Sequence, residues 1–205
     1  MNLQIEKEGT ILTLPELEQT TGAAFVPILE FSDEKILADL RKKSEKLHKK
    51  GMLAREQLWL GAYFRNEILS NKIPDVCIRW IDSSLGWGVF AMRDFKKMEF
   101  IAEYTGTVRK RQRADQTNAY CFEYIVAQGV SSPYLIDARE QGGLSRFINH
   151  SGNPNLLSAL ATLDHISHIV LYTSQPISKG TQLCYDYGPD YWAHRPKPKN
   201  ILENI

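Results

Sequence analysis

The chain is short of cysteine, of net charge and of long apolar runs, and each shortage narrows what it can be. Its three cysteines, Cys77, Cys121 and Cys184, are widely separated and form no C-x-x-C pair. That spacing argues against a disulfide framework or a clustered zinc site and favours three reduced thiols. The 205 residues carry 25 Lys and Arg against 24 Asp and Glu, a formal charge of +1. Residues 1–75 hold 11 basic and 12 acidic side chains, and residues 76–205 hold 14 and 12. Neither part has the bulk charge of a nucleic-acid-binding domain, so no direct nucleic-acid binding is expected. No run approaches membrane-spanning length, so no membrane partner is expected. Glu6, Glu8, Glu16 and Glu18 make a secretory signal peptide an unsuitable reading of the first residues. The oligomeric state is left open.

What is present divides near Asp75. Residues 1–75 read as a helical N-terminal region. Ser32 or Asp33 can cap a helix that carries Ile36, Leu37, Leu40 and Leu47 and ends at Lys46, Lys49, Lys50 and Gly51. The Lys-rich stretch Arg41–Lys50 reads as the solvated face of that helix rather than as a partner site. A second helix is expected from Leu53 to about Leu69, with Leu53, Leu60, Phe64 and Ile68 as its packing stripe. After Asp75 the pattern turns to short strand-like runs separated by Gly, Pro and Asn/Asp turns. These are Val76–Ile81, Trp87–Ala91, Phe100–Tyr104, Tyr120–Val126, Leu156–Leu163, Ile166–Thr173 and Gln182–Tyr185. Short strands without long helices between them predict a mostly β domain over 76–190. Residues 191–205 form a Pro- and Lys-rich tail, and Arg109–Arg113 reads as a basic surface loop in preference to a nuclear-import patch.

Four segments concentrate chemistry. In Leu85-Gly86-Trp87-Gly88 two glycines flank one residue, which lets a backbone approach a ligand closely. Without the longer glycine pattern and a following helix, this is not a dinucleotide site. Glu103-Tyr104-Thr105-Gly106 closes an apolar strand. Ser145-Arg146-Phe147-Ile148-Asn149-His150-Ser151-Gly152-Asn153-Pro154-Asn155 packs many donors and acceptors directly after its apolar Phe147-Ile148. Tyr185-Asp186-Tyr187-Gly188 places two tyrosines two residues apart. Each segment alone is an ordinary turn or strand end.

Together, in this order and spacing, they resemble the SET-domain protein-lysine methyltransferases over about Val76–Tyr191. Asn118-Ala119-Tyr120-Cys121-Phe122 and Tyr134-Leu135-Ile136-Asp137-Ala138 also look like family segments. The resemblance implies a fold of small curved β-sheets with a knot-like C-terminal threading of the Asn149 and Tyr187 segments. It implies transfer of a methyl group from S-adenosylmethionine to a lysine of a histone or histone-like protein. The alternative is a catalytically silent SET module that binds a peptide or partner. By the same resemblance Tyr187, Tyr104 and Tyr185 are the catalytic and channel tyrosines, with Tyr185 setting the number of methyl groups added. Leu85, Gly86, Trp87, Tyr120, Asn149 and His150 are the cofactor contacts. Tyr191 and Trp192, an aromatic pair just beyond Gly188 in a polar tail, suggest a further cofactor contact in which both fold over the cofactor; ordinary surface packing of Trp192 is the alternative.

The chain departs from many family members in one respect. Gly152 stands where they carry a zinc-binding Cys, and no cysteine follows Cys184. No zinc is therefore expected. The compact plan is similar to the small SET proteins of bacteria living inside eukaryotic cells, of chlamydial type, which implies a bacterial effector acting on chromatin. The location expected is the cytoplasm or, for a secreted effector, the host nucleus. Glu103, Glu123, Asp137, Glu140 and Asp190 are expected to make the substrate face acidic. His165 and His168 are expected to have no catalytic role.

Overall fold

The computed structural model describes residues 3–193 and 195. Its organising element is the pair β5 (Val76–Asp82) and β6 (Gly86–Ala91), antiparallel around a short turn. The turn forms because the Asp82 carboxylate accepts from the backbone N–H groups of Ser84 and Leu85, at 2.7 and 2.8 Å. Gly86 follows at φ +71°, a left-handed conformation that suits glycine. The expected strand of residues 76–81 is thus present, and the glycine-rich segment opens a strand instead of forming a free-standing turn.

The N-terminal region is more than a helical scaffold. It carries β1 (Leu3–Lys7), β2 (Thr10–Ile11), β3 (Ala24–Phe25) and β4 (Glu30–Phe31). β1 runs parallel to β5, β3 parallel to β11 (Gln141–Gly142), and β4 parallel to β8 (Thr107–Lys110). These strands are two to five residues long, too short for a period of two to show in the sequence. They complete sheets that residues beyond 75 begin.

Four sheets result. The six-stranded sheet has the order β12 (Asn149–His150), β15 (Gln182–Tyr185), β6, β5, β1, β2. A four-stranded sheet orders β4, β8, β10 (Tyr134–Asp137) and β9 (Cys121–Glu123). A three-stranded sheet holds β13 (Leu156–Leu163), β14 (Ile166–Thr173) and β7 (Phe100–Glu103), and β11 with β3 makes the smallest. The mostly β reading holds, and the expected strands of 156–163, 166–173 and 182–185 match residue for residue. The expected strand of residues 120–126 contracts to Cys121–Glu123.

Helices contribute to all three hydrophobic clusters. α1 (Leu14–Thr21), not foreseen, starts where the Glu16 carboxylate accepts from the Thr13 backbone N–H at 2.7 Å, with Pro15 in the first turn. α2 (Glu34–Lys49) is capped by Asp33, whose side chain accepts from the Lys35 N–H at 2.8 Å, and Gly51 follows at φ +68°. Its Leu40 packs into a cluster with Tyr104, Val108, Tyr124 and Ile136. The second expected helix breaks at Phe64 into α3 (Arg55–Tyr63) and α4 (Arg65–Leu69). Leu60, Phe64 and Ile68 are buried against Phe100, Ala161, Val170 and Tyr172. Leu53 is buried too.

Gly61 sets the approach of α3 to β13. A Cβ there would fall inside the Thr162 carbonyl. Gly61→Ala should therefore destabilise the protein by about 3 kcal/mol through overpacking. In a chain of this size that corresponds to a thermal midpoint lowered by roughly 6–12 °C, checked by circular dichroism melting.

Candidate functional site

The site forms where two strand ends lie side by side. β12 and β15 run parallel, with Asn149 opposite Cys184 and His150 opposite Tyr185. The β13–β14 hairpin lies between them in sequence, so the Asn149 and Tyr187 segments meet only through the tertiary fold. Asn155 locks them together. Its side-chain oxygen accepts from the Cys184 N–H at 2.9 Å, and its amide donates to the Gln182 carbonyl at 2.8 Å.

A cavity of about 1270 Å³ opens at this junction. Every residue expected from the sequence as a catalytic residue or cofactor contact lines it: Leu85, Gly86, Trp87, Tyr104, Tyr120, Asn149, His150, Tyr185, Tyr187 and Trp192. The Asn149 amide donates to the Trp87 carbonyl at 3.1 Å and so fixes the two strand ends against each other. The Tyr187 N–H donates to Nδ1 of His150 at 3.2 Å, which favours the tautomer with its proton on Nε2. The Tyr187 hydroxyl donates to the Ile148 carbonyl at 2.8 Å.

Aromatic rings wall the cavity. Tyr187 lies 4.8 Å from Tyr185 and 4.7 Å from Tyr191, centroid to centroid, and stacks nearly parallel on Trp192 at 6.3 Å. Trp192 meets His150 edge-on at 4.8 Å. Tyr104 packs 5.1 Å from Phe122. Burial pushes the hydroxyls of Tyr104, Tyr185 and Tyr187 well above the ordinary tyrosine range, so all three stay protonated.

Two features were not singled out in the sequence. Arg146 lies between Tyr120 and Phe147, its guanidinium 4.1 Å from the Tyr120 ring centroid and 5.4 Å from that of Phe147. It donates to the Ala138 carbonyl at 2.9 Å and forms no ion pair within the described residues. Burial lowers its pKa, the mark of a cation short of a counter-charge. Its position directly before Phe147-Ile148-Asn149 was the available signal. The second feature is the Trp192 indole N–H, which is buried with no hydrogen-bond partner among the described residues.

Several expectations need correction. Arg109 and Lys110 belong to β8 and not to a loop. Arg109 bridges Asp115 and Asp137, contacting each at 2.6 Å. Part of the expected acidic face is engaged from within: Asp137 is taken by Arg109, Glu123 lies 3.7 Å from Arg111, and Glu103 shares a hydrogen bond of 2.7 Å with Nδ1 of His168. Asp115, Cys121 and Asp137 are close enough to suggest a metal site. Arg109 already supplies their positive charge, and burial followed by the nearby carboxylates pushes the Cys121 thiol up to about 12. Of the tail, residues 194 and 196–205 lie outside the described residues.

The comparisons agree with this geometry. The SET domain model matches residues 86–188, half of the chain. The protein belongs to the SET-domain family. The N-lysine methyltransferase KMT5A of Xenopus tropicalis is 38% identical over 112 residues, covering 50% of this chain and 33% of that protein. The histone-lysine N-methyltransferase Su(var)3-9 of Drosophila melanogaster is 34% identical over 128 residues, covering 57% of this chain and 20% of that one. Among solved structures, KRYPTONITE in complex with mCHG DNA and SAH superposes with a TM-score of 0.50 at 27% identity. That match covers 60% of this chain and 26% of the other. The chain thus spans a third or less of the length of these relatives.

Proposed function

We propose that the protein is a protein-lysine N-methyltransferase that uses S-adenosylmethionine, with histones or histone-like basic proteins as substrates. The observation that carries this reading is the convergence of Asn149 and His150 with Tyr104, Tyr185 and Tyr187 on one aromatic-walled cavity. The donor set suits the cofactor. Arg146 offers a desolvated cation for a carboxylate, Asn149 and His150 offer polar contacts, and Trp87, Tyr120 and Trp192 offer ring faces. The buried Trp192 N–H, without a partner among the described residues, can donate to a ligand acceptor. When bound, S-adenosylmethionine supplies a methyl group on a sulfonium sulfur.

The chain's own residues do the rest. A lysine amine has a reference pKa of about 10.4 and must shed its proton before it can attack. A channel lined by Tyr104, Tyr185 and Tyr187 desolvates the ammonium and so lowers that pKa. Because the tyrosines stay protonated, they bring dipoles to the channel and no competing negative charge. Their rings exclude water and hold the side chain straight, and alignment of this kind supplies much of the rate in a displacement. Tyr185 is the residue that limits the methyl count, its hydroxyl occupying room that a second or third methyl needs. Tyr185→Phe should shift the product from mono- or dimethyl-lysine toward higher states, read by mass spectrometry. Trimethyl-lysine as the wild-type product would contradict this.

The same reading extends to setting. We infer further that the chain is a zinc-free SET protein of the type found in intracellular bacteria, and that its role is that of an effector acting on host chromatin. The N-terminal region of residues 1–75 then scaffolds the SET domain of residues 76–190, and the tail from Tyr191 covers the cofactor. No direct nucleic-acid or membrane contact belongs to this role. Among the described residues, no helix is long and apolar enough to cross a membrane.

The test is incubation with methyl-labelled S-adenosylmethionine and a panel of core histones and basic bacterial chromatin proteins. Label on lysines of one protein supports the reading. Failure to bind S-adenosylmethionine at all would overturn it.

A further inference from the structure

Among the described residues, Arg195 fastens the turn that walls the cavity. Arg195 donates through Nη1 to the Tyr191 carbonyl at 2.9 Å, and through Nη2 to the carbonyls of Gln116 and Asn118 at 3.2 and 2.8 Å. Its guanidinium also lies over the Tyr191 ring, 4.4 Å from the centroid. One planar group thus joins the helical turn α5 (Pro189–Trp192) to the segment Arg113–Asn118, about 77 positions away in sequence.

The far side of that joint is anchored in the sheet. Asn118 is 3% exposed. Its side-chain oxygen accepts from the Tyr120 N–H at 3.0 Å, and its amide donates to Asp137 at 2.8 Å. Asp137 in turn is held by Arg109 of β8. On the near side, Tyr191 and Trp192 abut Tyr187, and Trp192 abuts His150. Arg195 therefore stands between the two aromatic walls of the cavity, Tyr120 on one and Tyr191 with Trp192 on the other.

We propose that Arg195 is a positioning residue that couples the C-terminal turn to the 113–120 segment, holding Tyr120, Tyr191 and Trp192 together around the cofactor. This rests on the functional reading above. The role needs arginine. Three carbonyls and a ring face are met at once by a rigid planar fork, whereas a lysine ammonium is a single point that cannot also stack. A binding role for these walls, separate from the methyl-transfer step, predicts an effect on cofactor affinity and little effect on turnover.

The experiment compares the full-length wild type, Arg195→Ala and Arg195→Lys. Backbone hydrogen exchange in the free proteins should rise in Arg195→Ala at both 113–120 and 189–193, with the β13–β14 hairpin unchanged. Titration with S-adenosylhomocysteine should show about tenfold weaker binding for Arg195→Ala, the equivalent of about 1.4 kcal/mol, and an intermediate loss for Arg195→Lys. At saturating S-adenosylmethionine, kcat should stay within about threefold of wild type, so the loss appears in KM. Exchange that rises in the tail alone, or unchanged affinity, would overturn the proposal. A wild type that binds no S-adenosylhomocysteine would overturn the functional reading instead. The exchange pattern would then still decide whether Arg195 couples the two segments.

Discussion

Tyr187→Phe loses methyl transfer by about a hundredfold or more while it keeps affinity for S-adenosylhomocysteine within a few fold. The expectation follows from what the hydroxyl does. It donates to the Ile148 carbonyl at 2.8 Å and fixes the Tyr187 ring between Tyr185, Tyr191 and Trp192. Removing it frees the ring at the centre of the cavity, and small misplacements of groups that align a reacting pair cost rates of about 10². It also leaves the Ile148 carbonyl without that donor, a stability loss of roughly 1 kcal/mol. Binding should survive because the polar contacts offered to the cofactor come from Asn149, His150 and Arg146. Single-turnover assays beside calorimetric titration separate the two effects. Equal losses in binding and turnover would reduce Tyr187 to a structural wall.

Arg109→Ala destabilises the protein by roughly 3–5 kcal/mol and weakens the cofactor site with it. The side chains of Arg109, Asp115 and Asp137 are 21%, 8% and 20% exposed, so the alanine leaves two largely buried carboxylates without their cation. Asp137 then holds Asn118 less firmly, and Asn118 carries both the Tyr120 N–H and the contact to Arg195. Chemical denaturation measures the first effect and S-adenosylhomocysteine titration the second. A loss below about 1 kcal/mol would show the triad to be a surface pair of the weak kind.

The same triad sets an acid limit. Hydrogen bonds from Arg109 lead in holding Asp115 below the ordinary carboxylate range. For Asp137 burial opposes ionisation, but the hydrogen bonds from Arg109, Asn118 and the Arg139 N–H together outweigh it. Both folded-state pKa values therefore lie below the unfolded reference of about 3.9. Their contribution is complete above that pH and is lost as the pH falls through the depressed values. Unfolding free energy should decline below about pH 4 in the wild type. In Arg109→Ala that part of the decline should be smaller.

Much of the site was legible in the sequence because the family segments are short, polar and placed at strand ends. The Asn149 and Tyr187 motifs stand out since they interrupt apolar runs, and all ten residues chosen from them and their partners line one cavity. Arg146 was visible in the same motif, yet nothing local distinguished a cation under two rings from a surface arginine. Arg109 was misjudged for the converse reason. A run of basic residues looks solvated until Asp115 and Asp137 are brought to it.

The sequence by itself determined the long strands β5, β13 and β14, the capped helix α2 and the residues that line the cavity. Hydrophobic periodicity, capping side chains and motif spacing are local properties, and these elements are long or chemically distinct enough to carry them. Only the tertiary structure decided that strands of the first 31 residues complete sheets begun after Asp75. Only it decided that β12 lies parallel to β15, and that Arg195 reaches Asn118. Each of these is a pairing between segments far apart in the chain, made by backbone groups or a single side chain. Backbone N–H and C=O groups are the same in every residue but proline, so the sequence does not encode which distant partner they will find.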